Sequence, residues 1–153
     1  MTLIARGRAQ RPRLLLADDD VVITSLLSES LHHDFEVVGV AADSGEAIEL
    51  AKASQPDVAV VDVAMPKGGG PSAVRGILEV APQTAIVVLS GDESEAMVRE
   101  LIRAGAVAYC RKGIDPRELA ELLTGSIEVR ARERALAPAD LARAGGLAGR
   151  LAR

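Results

Sequence analysis

Six polar side chains of this 153-residue sequence stand where short apolar runs end. Asp18, Asp19 and Asp20 follow RLLLA, Asp62 follows DVAVV, Ser90 closes AIVVLS, and Lys112 follows VAYCR. Carboxylates held together repel one another, and their pKa values rise unless a cation neutralises them. A hard divalent ion meets that need. Mg²⁺ takes one or two carboxylates and leaves its remaining positions to water and phosphate oxygens. An aspartate beside such an ion and a lysine is equipped to attack phosphorus and form an acyl phosphate. The transferred group spreads charge over its oxygens, so the work is positioning and charge neutralisation. A small hydroxyl such as Ser90 can hydrogen-bond one of those oxygens.

Taken singly, each residue has a plainer role. Asp20 caps the following helix, Asp62 ends a turn, Ser90 ends a strand, and Lys112 is a solvated lysine. What gathers them is the order of elements. RLLLA (13–17), EVVGVAA (36–42), DVAVV (57–61), AIVVLS (85–90) and VAYCR (107–111) read as short strands. VVITSLLSESLHH (21–33) has apolar residues at helical spacing. DSGEAIELAKAS opens with a capping box, Asp43 and Glu46. PSAVRGILEVA (71–81) starts with a proline suited to a first helical turn. SEAMVRELIRAG (94–105) is stopped by Gly105, and DPRELAELLTGSI (115–127) begins with Asp115 as cap, Pro116 and Glu118.

Strand and helix therefore alternate five times through short connections, which forces parallel pairing. Helices on both faces explain why the third and fourth strands are continuously apolar. The expected fold class is α/β, a doubly wound parallel sheet. Such sheets bind ligands outside the carboxyl ends of their strands, at the switch in winding. That edge is where Asp18, Asp19, Asp62, Ser90 and Lys112 fall.

The rest of the composition mainly excludes. A net charge of −4 and only two aromatic residues, Phe35 and Tyr109, argue against a nucleic-acid surface. Cys110 is alone, so neither an internal disulfide nor a cysteine zinc site can form, which fits a cytoplasmic protein. No apolar run is long enough to cross a bilayer. Residues 1–11 are basic and read as a disordered leader without the apolar core of a signal peptide. Residues 12–127 form the domain. Residues 128–153 form an Ala/Arg-rich helical extension or linker, with 128–136 able to prolong the last helix. KGGGP lacks the ending of a phosphate-binding P-loop and reads as a flexible loop. His32 and His33 are expected to lie exposed at the end of the first helix.

The stretches LLLADDD, VVDVAMP, VVLSG and AGAVAYCRK, in this order and on the βα period, resemble the receiver domain of two-component response regulators over residues 12–127. The resemblance implies a flavodoxin-like, five-stranded sheet in the order 2-1-3-4-5. It implies that Asp18 and Asp19 hold Mg²⁺, Asp19 more directly, together with Asp62 and the backbone carbonyl of Ala64. Asp62 matches the phosphoacceptor, Ser90 and Lys112 the groups that bind the phosphoryl oxygens, and Ser90 with Tyr109 the switch pair. A sensor histidine kinase is the implied donor. The fourth helix, fifth strand and fifth helix, residues 94–127, form the implied face for an output partner.

The implied protein is a slowly self-dephosphorylating acceptor and not a turnover enzyme. Ala64 and Asp92 occupy the positions that influence phosphoryl lifetime in the family. One departure is Gly113, which stands where a proline often follows the lysine. A Mg²⁺-dependent phosphatase of the haloacid-dehalogenase kind is the alternative, but it wants an acid two residues after its nucleophile, and Ala64 stands there. The chain is alternatively a receiver fragment of a larger regulator, or a homodimer paired through its C-terminal helix.

Overall fold

The structure, a computed structural model, describes residues 10–91 and 94–136. Expectations for residues 1–9, Asp92 and 137–153 lie outside these residues. Five strands and five helices alternate: β1 (Arg13–Ala17), α1 (Val21–Leu31), β2 (Glu36–Ala41), α2 (Ser44–Ser54), β3 (Val58–Asp62), α3 (Gly69–Val80), β4 (Ala85–Ser90), α4 (Glu95–Ala104), β5 (Ala108–Arg111) and α5 (Pro116–Ala135). The strands pair in parallel in the order β2-β1-β3-β4-β5, as the resemblance implied.

Side chains alternate across each strand and so build two cores. Leu15, Ala17, Ala59, Val61, Ile86 and Val88 face α2, α3 and α4, where Ala47, Ile77 and Leu101 close the layer. Leu14, Leu16, Val60, Val87 and Leu89 face α1 and α5, packing on Leu31, Leu119 and Leu123. Every residue of β3 and β4 is buried, as their unbroken apolar runs require. Each large aliphatic side chain so buried contributes about 1.5–3 kcal/mol. The reactive edge thus rests on the most rigid part of the molecule.

The helix starts follow their caps. The Asp20 carboxylate accepts from the Val22 N–H at 2.9 Å, and that of Asp115 from the Arg117 N–H at 2.8 Å. Asp43 accepts from the Glu46 N–H at 2.8 Å, while the Glu46 carboxylate accepts from the Ala42 N–H at 3.0 Å, one residue before the cap. Gly105 ends α4 at a φ of 123°, where a side chain would be strained.

Two local expectations are revised. First, α3 begins at Gly69, so Pro71 is its third residue; the first four N–H groups of a helix lack intrahelical partners, and proline is tolerated there too. Second, KGGGP is a tight connection. Lys67, Gly68 and Gly69 all have positive φ, and the Gly70 N–H donates to the Val63 carbonyl at 2.8 Å. A Cβ on Gly70 would stand 3.0 Å from the Val63 backbone, so only glycine fits without a shift. The last helix, α5, runs unbroken past Ile127 to Ala135, along the prolongation the sequence allowed. Arg130 clasps it to the loop before β4, with Nη2 donating to the Pro82 carbonyl at 2.6 Å and Nη1 reaching Glu133 at 3.3 Å.

At the other end Arg11, grouped by charge with the leader, donates to the carbonyls of His32 and Phe35. His32 and His33 are exposed. Among the described residues no helix is long and apolar enough to cross a membrane.

Candidate functional site

Register brings the acids together. Ala17 pairs with Val61 across β1 and β3, so the next residues, Asp18 and Asp62, leave the sheet side by side. Asp62 pairs with Leu89 and Ser90 with Arg111, which sets Ser90 and Lys112 on the same edge. Asp18 and Asp62 are 3% and 1% exposed, whereas Asp19 is exposed to solvent. Carboxylate oxygens of all three lie within 4.8 Å of one another.

Lys112 answers two of these charges. Its Nζ lies 3.0 Å from Asp62 Oδ1 and 3.5 Å from Asp18 Oδ2. Those two oxygens are buried, and the Lys112 ammonium is the donor that faces them. Asp18 Oδ1 accepts from the Asp20 N–H at 2.9 Å. Burial first, and then the Asp62 charge, push the Asp18 carboxyl above its ordinary range, even though the Asp20 N–H and Lys112 pull it down. Burial pulls Lys112 down, but the hydrogen bond and charge of Asp62, followed by Asp18, outweigh it and raise its pKa.

One lysine leaves this cluster of three carboxylates net negative, with two buried oxygens short of donors. An oxygen-only set of this kind, open on the Asp19 side, fits a hard divalent cation such as Mg²⁺.

Each of the other sequence candidates can be placed. Ala64 lies exposed in the connection directly after β3. Ser90 ends β4, buried, and its carbonyl accepts from the Lys112 N–H at 2.9 Å. Tyr109 sits half-buried on β5 beside Val88, against the core layer of α2, α3 and α4. Gly113 has a φ of 94° and the described chain contains no cis peptide bond.

Three further residues escaped the sequence. Arg111 Nη1 donates to the Gly91 carbonyl at 3.3 Å, tying β5 to the loop beyond Ser90. Gly70 backs onto Val63, and Ser44 is buried against the connection between β3 and α3. A glycine run after Met-Pro was the available signal for Gly70; nothing local marks Ser44 or Arg111.

A doubly wound sheet with an aspartate cluster and a lysine at its carboxyl edge is the architecture of signalling receivers, and the comparisons with known proteins agree. Residues 14–124 match the family model described as response regulator receiver domain, and the chain belongs to that family. The chemotaxis protein CheY of Thermotoga maritima is 33% identical over 112 residues, covering 72% of this chain and 93% of that protein. The uncharacterized transcriptional regulatory protein YxjL of Bacillus subtilis is 38% identical over 113 residues, covering 72% of this chain but only 52% of YxjL. This chain thus aligns with about half the length of YxjL.

Among solved structures, the receiver domain of AraT from Geobacillus stearothermophilus superposes with a TM-score of 0.70 at 31% identity, covering 80% of this chain and 98% of that one. The receiver domain of the response regulator NarL from Mycobacterium tuberculosis gives 0.72 at 25% identity, covering 78% and 98%.

Proposed function

We propose that Asp62 is the phosphoacceptor of this receiver domain. The observation that carries the proposal is its oxygen, buried at the end of β3 and 3.0 Å from the Lys112 ammonium, in a cluster with Asp18 and Asp19. The Asp62 carboxylate attacks the phosphorus of a phosphohistidine on a sensor kinase, or of a small acyl phosphate. A new O–P bond forms as the P–N or P–O bond to the donor breaks, and the electron pair leaves with the imidazole or carboxylate. Lys112 balances charge on the transferred oxygens, and Ser90 supplies a hydroxyl to one of them.

Asp18, Asp19, Asp62 and the Ala64 carbonyl are the residues that would hold Mg²⁺. The ion would supply positive charge to neutralise the phosphoryl oxygens. The new dianion biases a two-state equilibrium in which Ser90 and Tyr109 shift, and the face made by α4, β5 and α5 changes its affinity for a partner. The acyl phosphate then hydrolyses slowly, so the domain acts as a switch and not as a turnover enzyme. A cytoplasmic site of action goes with this reading. Relatives such as YxjL are transcriptional regulators of about twice the aligned length, so an output module joined after α5 is the natural partner. The phosphatase alternative finds no second acid, since Ala64 follows Asp62 by two residues.

Acetyl phosphate with Mg²⁺ is expected to add one phosphoryl mass to the protein, mapped to Asp62 and absent in Asp62→Asn. Labelling that persists in that variant, or steady turnover of a phosphomonoester, would sink the proposal.

A further inference from the structure

The connection that carries Ala64 holds an unusual conformation. Lys67, Gly68 and Gly69 have φ values of 61°, 101° and 67°, three left-handed residues in succession. Such a run is costly for non-glycine residues and persists only where its surroundings hold it. Its own helix does not hold it: Gly68, the residue that caps α3, offers no side-chain cap. The support comes from α2. Ser44, its first residue, is 1% exposed, and its Oγ donates to the Gly69 carbonyl at 2.8 Å. The Ser44 N–H also donates to the Pro66 carbonyl at 3.3 Å. Lys67 adds an ion pair to the neighbouring Asp43 at 3.6 Å, but its side chain is mostly solvated and the pair contributes little.

We propose that Ser44 is a positioning residue for metal binding. It pins Pro66 and Gly69, and so fixes the segment that sets the Ala64 carbonyl beside Asp62. This rests on the reading of Asp18, Asp19, Asp62 and Ala64 as the metal set. Removing the hydroxyl leaves the Gly69 carbonyl without that donor and frees the segment to sample other conformations, so the bound geometry must be selected at a cost. Asp62 stays anchored by β3, so the chemistry at saturating metal is preserved.

The test compares Ser44→Ala with Thr84→Ala. Thr84 is an equally buried hydroxyl that donates to the Pro56 carbonyl at 2.8 Å, at the opposite edge of the sheet. Calorimetric titration with Mg²⁺ alone should show a dissociation constant raised about fivefold in Ser44→Ala, and within about twofold of the parent in Thr84→Ala. Half-maximal labelling of Asp62 by acetyl phosphate should need correspondingly more Mg²⁺, with the rate at saturation retained. An unchanged dissociation constant in Ser44→Ala, or an equal shift in Thr84→Ala, overturns the inference. If Ser44→Ala does not fold, Ser44→Cys, similar in volume with a weaker donor, carries the same comparison to the same criterion. The calorimetric arm reads the metal alone. A parent protein that binds Mg²⁺ but is never labelled on Asp62 would therefore fail the phosphoacceptor reading while leaving this inference standing.

Discussion

Lys112 Nζ lies 3.0 Å from Asp62 Oδ1 and 3.5 Å from Asp18 Oδ2, one ammonium between two buried carboxylates. Asp19 adds a third negative charge at the open side. Three carboxylates against one ammonium make this site electrostatically repulsive, at a cost in stability.

The sign of one substitution follows directly. Asp18→Asn keeps an oxygen for the Asp20 N–H and removes a charge that is both buried and repelled by Asp62. In chelator the variant is expected to be more stable than the parent by about 1 kcal/mol in urea denaturation. Added Mg²⁺ should stabilise the parent and leave the variant nearly unmoved. A variant less stable than the parent in chelator would contradict the account of the site as repulsive.

The pH dependence of the metal-free protein has two parts. Burial raises Asp18 above its ordinary 3.8, so the folded state binds a proton more readily than the unfolded chain. Stability from this group is therefore fully present below 3.8 and is lost as pH rises through the elevated folded value. Lys112 is raised above 10.5 once the Asp62 and Asp18 attractions overcome burial. Its contribution is complete below 10.5 and disappears as pH climbs through the higher folded value. Melting curves in chelator should show a shallower acid-side slope in Asp18→Asn and a shallower alkaline-side slope in Lys112→Met, each relative to the parent.

Gly70→Ala probes the close approach behind Asp62. The new Cβ would meet Val63 Cα and its carbonyl at 3.0 Å, both backbone atoms that cannot rotate away. Overpacking of this kind costs about 1–3 kcal/mol, and the displaced Val63 adjoins Asp62. A lower melting temperature together with slower Asp62 labelling is expected, whereas Gly125→Ala, whose Cβ meets nothing within 4 Å, should not slow labelling.

The same contrast explains what sequence could and could not convey. The parallel sheet was legible because β3 and β4 are apolar without interruption and four of the five described helix starts carry a side-chain cap, all local signals. Asp18, Asp62, Ser90 and Lys112 were legible because a strand end is a fixed place in such a sheet. Ser44 and Arg130 were not, since each is set by a partner distant in sequence: Ser44 by Gly69, Arg130 by Pro82. KGGGP looked flexible for the same reason. Glycines that permit left-handed φ and close approach cannot be told, in sequence, from glycines that merely loosen a chain.

The lifetime of the proposed phosphorylated state is expected to depend on Ala64. It lies exposed two residues beyond Asp62, and its methyl group can neither orient nor activate a water. Ala64→Asn introduces an amide able to hydrogen-bond an attacking water without altering the backbone carbonyl. The acyl phosphate of the variant is expected to decay faster, by a few-fold up to about 10²-fold, the lower end of what a positioned proton-transfer group contributes. Decay is followed by mass after removal of acetyl phosphate, in Mg²⁺. A half-life unchanged or lengthened in Ala64→Asn would show that water access at this position does not limit hydrolysis.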